Sequence, residues 1–460
     1  MAYFKSLPNS DVTEEALGQR AKALEEIGGV RLDQGHLAPA IESFQAALTL
    51  SRQLAESAPD NVGRQVAYSR LWTFVGMADW YQGELENAQQ NFERARDVLK
   101  NTQARAARNP DLIFQLASRD NNIGHVLGAS GKLDEATAQY ETMLKHCKDL
   151  VSGKEVKPTW EALLGTAHNN LGKSALMGGE LAKAVAEYTA DDAIETQLSA
   201  RDPKNNDQLS HTFTARAILG RTLALTGDVE TAIRIMQEAV EIGTKLRAID
   251  PTSTDVQENL ALYQMQLGRL LRLTGKLPEA TALTTESLAT FLTLTTQDPT
   301  NAGWQREYAE VQSEQAAQSL AAGKTEQARA RVKAAVEVLD PALAKRPDDR
   351  ATLLATANAR LALAGMTLDA ATAEQLRQSV LSGIANVKSG AGDPRMLGLQ
   401  VAALLGLDRK GEAQKVIQKL WESGYRDPAL LALLQREQID YPVNASFQQR
   451  LQTAIAQNDR

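Results

Sequence analysis

Cysteine occurs once in the 460 residues, at Cys147. No disulfide can form within the chain, a reduced thiol is expected there, and the redox compartment cannot be read from cysteine pairing. Aromatic residues make up only 5%, and alternating β-branched runs, the mark of half-buried strands, are missing. Alanine and leucine are abundant instead, a composition that suits helices stacked through small side chains. No apolar run approaches the roughly 20 residues needed to span a bilayer. The opening MAYFKSLPNSDVTEE lacks the basic and apolar regions of a signal peptide. The expectation is a soluble chain in the cytoplasm, or in the periplasm if a membrane segment precedes Met1. The abrupt entry into helical sequence near Val12 raises that second case.

A basic excess is lacking too, since 50 Lys and Arg face 57 Asp and Glu for a formal charge of −7. That argues against a general nucleic-acid binder, whose footprint is a basic face, although a local basic stripe stays compatible with it. His36, His125, His168 and His211 show no metal-ligand spacing of the HExxH kind. His146 adjoins Cys147, but neighbours on a helix point about 100° apart and no third group stands at a useful spacing. No glycine-rich run of the phosphate-cradling kind stands in the sequence. Neither catalysis nor a cofactor nor a bound metal is expected.

What the chain does have is a beat. Gly35, Gly83, Gly131, Gly179, Gly227, Gly275 and Gly323 lie 48 residues apart, a sevenfold internal repeat. Five residues after each comes an alanine: Ala40, Ala88, Ala136, Ala184, Ala232, Ala280 and Ala328. Seven residues before come Gly28, Gly76, Gly124, Gly172, Gly220 and Gly268, with Ala316 in the last copy. Two residues after the turn stand Leu37, Leu85, Leu133, Leu181, Val229 and Leu277, with Thr325 as the exception. The pattern predicts two helices joined by a tight turn, with small residues letting the backbones approach. The turn glycine gives access to positive φ at a helix end.

These marks resemble the tetratricopeptide repeat. Trp72, Val75, Gly76, Ala88, Phe92 and Ala95 follow its order, and Ile27, Gly28, Ala40, Phe44 and Ala47 repeat it. Tyr140 and Tyr188 hold the aromatic position in copies three and four, replaced by Met236, Thr284 and Val332 in copies five to seven. The resemblance covers about residues 20 to 348. It implies an all-α fold, a right-handed α-solenoid of stacked antiparallel helix pairs, and a protein-binding scaffold. The family's usual unit is 34 residues, so both helices of each 48-residue pair should be about two turns longer. Such extended units look like the helical tails of bacterial multidomain signalling proteins. That likeness implies a regulatory or sensor segment, with an effector such as a kinase lying upstream.

Residues 1–12 read as a tether, 13–348 as the seven repeats, and 349–460 as degenerate helical repeats and a cap covering the last repeat's bare face. Prolines at 59, 203, 251, 299 and 347 break the chain between units. Asp60 or Asn61 is placed to cap the helix that follows Pro59. Thr254 with Gln257 has capping-box spacing.

In the tetratricopeptide family the first helices line the concave face, and the residue after the mid-helix glycine looks into it. Here that residue is His125, Lys173, Arg221 and Arg269, with Arg272 one turn on and Asn122 and Asn170 one turn before. Asparagine pairs with the backbone of an extended peptide, and arginine and lysine favour carboxylates, so an acidic peptide or protein is the expected partner. Met77, Trp80 and Tyr81 offer an aromatic anchor near the same surface, and Trp72 is expected inside. The family's carboxylate clamp is not reproduced, since Glu25, Gly29 and Thr166 occupy its positions. The competing readings are solvated surface charges, core aromatics, and an anionic-ligand or nucleic-acid solenoid using the cationic ladder.

Overall fold

The computed structural model describes residues 13–105, 108–387 and 390–458. The tether expected at 1–12 lies outside them. Among the described residues there are twenty helices and no strand. Seven hairpins come first: α1 (Glu14–Asp33) with α2 (Leu37–Ser57), α3 (Val62–Gln82) with α4 (Leu85–Gln103), and α5 (Pro110–Ala129) with α6 (Leu133–Val151). They continue with α7 (Pro158–Gly178) and α8 (Leu181–Arg201), α9 (Asn206–Ala224) and α10 (Val229–Ile249), α11 (Thr254–Leu273) and α12 (Leu277–Gln297), and α13 (Ala302–Ala321) and α14 (Thr325–Lys345). Six shorter helices follow: α15 (Arg350–Met366), α16 (Ala370–Ala385), α17 (Pro394–Gly406), α18 (Lys410–Ser423), α19 (Pro428–Arg436) and α20 (Ala445–Asn458). The chain is an all-α solenoid of paired helices, divided into two compact units at 171/172, within α7.

All seven turn glycines sit at positive φ, between 76° and 89°, and each second helix starts two residues later. The mid-helix glycines act differently. A Cβ on Gly124 would lie 2.4 Å from the Tyr140 ring, and one on Gly76 would lie 2.7 Å from Phe92 and 3.2 Å from the Ala88 carbonyl oxygen. The glycine therefore seats the large side chain of its partner helix as well as bringing the backbones together. The alanines after the turn are buried completely or nearly so.

Helix starts keep the same step. Asn61, Asn109, Asn205, Ser253, Asn301 and Asp349 each accept a backbone N–H from the following turn. The cap of α11 is thus Ser253, and Thr254 is the first helical residue. Gln257 reaches back to the Pro251 carbonyl instead of closing a capping box. At the first connection the cap is Asn61.

In the first unit, Phe44, Phe92 and Tyr140 each fill the space inside their own hairpin, and Met143 and Cys147 extend that core along α6. In the second unit α15 packs on α14 as a terminal cover should. Helices α17 to α20 do something else: they return to hairpins four and five, where Leu181, Tyr188 and Leu219 share a core with Val401, Leu404, Leu420, Leu434 and Phe447. Beyond the cover expected for the last repeat, this segment thus shares a core with the middle hairpins of its own unit.

Candidate protein-binding face

In the first unit the first-helix row is polar. Asn170, buried, donates from Nδ2 to Asn121 Oδ1 at 2.7 Å, tying the asparagines of adjacent first helices together. Asn122 is half-buried beside them. His125 Nδ1 lies 3.2 Å from the Tyr140 hydroxyl, the rings meeting edge to face at 5.7 Å. Met77 and Trp80 are half-buried against the core around Phe92 and Tyr140, while Tyr81 stands 59% exposed. Trp72, expected inside, is only half-buried, with the Arg94 guanidinium 5.0 Å over its ring.

The His146–Cys147 neighbours are committed to the fold. His146 Nδ1 lies 2.9 Å from Oδ2 of the buried Asp120. Burial, and then the Asp120 carboxylate, push the Cys147 thiol up to about 12, which keeps it protonated and poorly nucleophilic.

In the second unit Lys173 is exposed. Arg221 is half-buried, and its charge is felt by Glu310 on α13. Burial pushes the Glu310 carboxyl up to about 7 against the pull of Arg306 and Arg221. Arg272 grips Glu314 through two bonds of 2.6 and 2.9 Å. Arg269 Nη2 donates to both oxygens of Asp427, at 2.8 and 3.0 Å. Burial opposes the Arg269 charge, but the Asp427 carboxylate outweighs it and holds the guanidinium protonated.

Asp427 belongs to the returning segment. It caps α19, and its neighbour Arg426 donates its backbone N–H to the Leu225 carbonyl at 2.6 Å. Thirty-four residues earlier, Asp393 caps α17 and holds Arg350 and Arg395, each at 2.7 Å. Gly392 lies so close to the turn between α7 and α8 that a Cβ on it would meet the Gly178 carbonyl oxygen at 2.6 Å. Two of the ladder's arginines, Arg269 and Arg272, are therefore already paired with carboxylates of this chain.

The chain is a tetratricopeptide-like helical repeat array. That rests on its own geometry: hairpins in step, turn glycines at positive φ, and a glycine seating the aromatic residue of the partner helix in copies one to four. No family model and no curated protein matches the sequence. Among solved structures, it is similar to a tetratricopeptide repeat protein from Parabacteroides merdae at 16% identity and a TM-score of 0.37, covering 74% of this chain and 99% of that one. It is similar to the S. pombe nuclear import adaptor Nro1 at 13% identity and a TM-score of 0.44, covering 60% and 95%. A Rap protein complexed with competence and sporulation factor shares 12% identity at a TM-score of 0.46, covering 87% and 98%.

Sequence reasoning missed the carboxylates that meet the array's arginines. Asp393–Pro394 and Asp427–Pro428, 34 residues apart, were a legible signal: an acid at a helix cap followed by proline at the first helical position. The buried Arg119 on α5 was missed as well. Among the described residues no helix is long and apolar enough to cross a membrane.

Proposed function

We propose that the chain is a non-catalytic scaffold that binds a protein or peptide along the first-helix row, with Met77, Trp80 and Tyr81 as the apolar anchor and Asn122, His125 and Asn170 as the polar wall. Lys173 and Arg221 belong to the same repeat register further along the sequence. Rigid paired helices hold such a row in place before the partner arrives, so little ordering entropy is lost on binding. The observation that carries the reading is Arg269 on Asp427: where the register is occupied, its occupant is an extended turn leading into a helix capped by a carboxylate. An acidic segment is accordingly the favoured partner. A regulatory role in a bacterial signalling protein, in the cytoplasm, suits a scaffold of this kind.

The test is quantitative recovery of bound proteins from an extract of the source cells by wild type beside a Trp80→Ala, Tyr81→Ala variant of equal thermal stability. Recovery of the bound proteins should fall at least tenfold with the variant. Equal recovery would remove this face from the account.

A further inference from the structure

Arg119 is 5% exposed, yet its hydrogen-bond acceptors are neutral: Ser69 Oγ at 3.3 Å from Nε, and Gln115 Oε1 at 3.1 Å from Nη2. Arginine is rarely buried so deeply unless a counter-charge meets it. Among the described residues no carboxylate pairs with Arg119. The acid next to it in sequence and the acid on Arg70 are committed elsewhere. Asp120 faces His146 on α6, and Glu25 is held by Arg70 through bonds of 2.9 and 3.1 Å. The contrast within the chain is sharp: Arg216, Arg272 and Arg350, with side chains 17–20% exposed, each meet a carboxylate, on Asp192, Glu314 and Asp393. Burial, and then the positive charge of Arg70, bring the Arg119 guanidinium down to about 10. Arg70 itself keeps 47% side-chain exposure, so the pair of arginines reaches solvent on the Arg70 side.

We propose that Arg119, with Arg70 beside it, anchors a carboxylate side chain of the partner, an Asp or Glu in an acidic segment lying across α3 and α5. The inference rests on the scaffold reading and gives its partner a chemistry. A planar guanidinium with unused donors matches a carboxylate in a way an ammonium would not. The residue is distinct from the ladder, and it works from between two first helices.

Gln115→Glu is the discriminating variant, because it places an intramolecular carboxylate where Gln115 Oε1 already accepts from Arg119. Its melting temperature should rise by about 2–4 °C. The probe is an array of ten-residue peptides rich in Asp and Glu, printed beside twins with Asn and Gln. Wild type should prefer the acidic set at least tenfold, and both Gln115→Glu and Arg119→Met should erase that preference. A preference that survives both substitutions, no preference in wild type, or a Gln115→Glu protein that melts no higher than wild type would overturn the assignment. Those outcomes leave the scaffold reading standing if the Trp80, Tyr81 variant still loses its partners. If that variant keeps them, it is the scaffold face itself that is wrong.

Discussion

Arg269 on α11 holds Asp427, 158 residues further along the chain, through both carboxylate oxygens. The pair joins the sixth hairpin to the cap of α19, so its energy belongs to the contact between array and returning segment. The Arg269 side chain keeps 34% exposure, which places the pair between a surface bridge and a buried one. A double-mutant cycle of Arg269→Met and Asp427→Asn should give a coupling of about 1–2 kcal/mol in denaturant unfolding. Asparagine keeps the cap, so the cycle isolates the charge. Additive single effects would mean that the pair contributes nothing.

Two glycines on α5 should respond oppositely to alanine. A Cβ at Gly124 would lie 2.4 Å from the Tyr140 ring, whereas at Gly128 the nearest atom is the Ala136 Cβ at 4.0 Å. Gly124→Ala should destabilise the first unit by about 1–3 kcal/mol through overpacking. Gly128→Ala should be neutral or stabilise by up to about 1 kcal/mol through helix propensity. Thermal melts of the two variants check the ranking, and a Gly124→Ala protein as stable as wild type would show that the glycine is not seating the ring.

Glu307 gives the second unit a pH dependence. Its Oε1 accepts from Arg306 at 2.7 Å, its Oε2 is buried without a partner, and burial pushes the carboxyl up to about 7 against Arg306, with Glu258 and Glu310 adding to the shift. A folded value above the unfolded one means that the folded state holds the extra proton. The stability it contributes is fully present below about 4.5 and is lost as pH rises through about 7. Glu307→Gln should remove a stability loss on the order of 2 kcal/mol between pH 5 and 8. Chemical denaturation of wild type and variant across that range is the check, and parallel curves would contradict the assignment.

Cys147 should be silent in the folded chain. Its thiol is fully buried and held protonated by burial and by Asp120. Iodoacetamide at pH 8 should label it only after denaturation, as read by intact mass. Rapid labelling of the native protein would show an opening of α6 that the packing does not provide.

The repeat was legible because its marks are local. A turn glycine and the alanine five residues on are set by one hairpin, so the 48-residue step located all seven sharp bends. The cap series at Asn61, Asn109, Asn205, Ser253, Asn301 and Asp349 carries the same step, and the misplacement of one cap at Thr254 came from reading that junction alone. The returning segment was not legible, since the pairing of Asp427 with Arg269 is long-range and lies outside the period. Arg119 was invisible for a related reason: its lack of a counter-charge appears only when the neighbouring helices are in place.

The most direct test of the account is amide hydrogen exchange at Arg426, whose backbone N–H meets the Leu225 carbonyl on the fifth hairpin. If α17 to α20 pack on hairpins four and five as described, that amide should be protected to the level of the α9 core and should lose most of its protection in Asp427→Arg. Exchange at the rate of an exposed loop in wild type would contradict it, detaching the returning segment from the fifth hairpin.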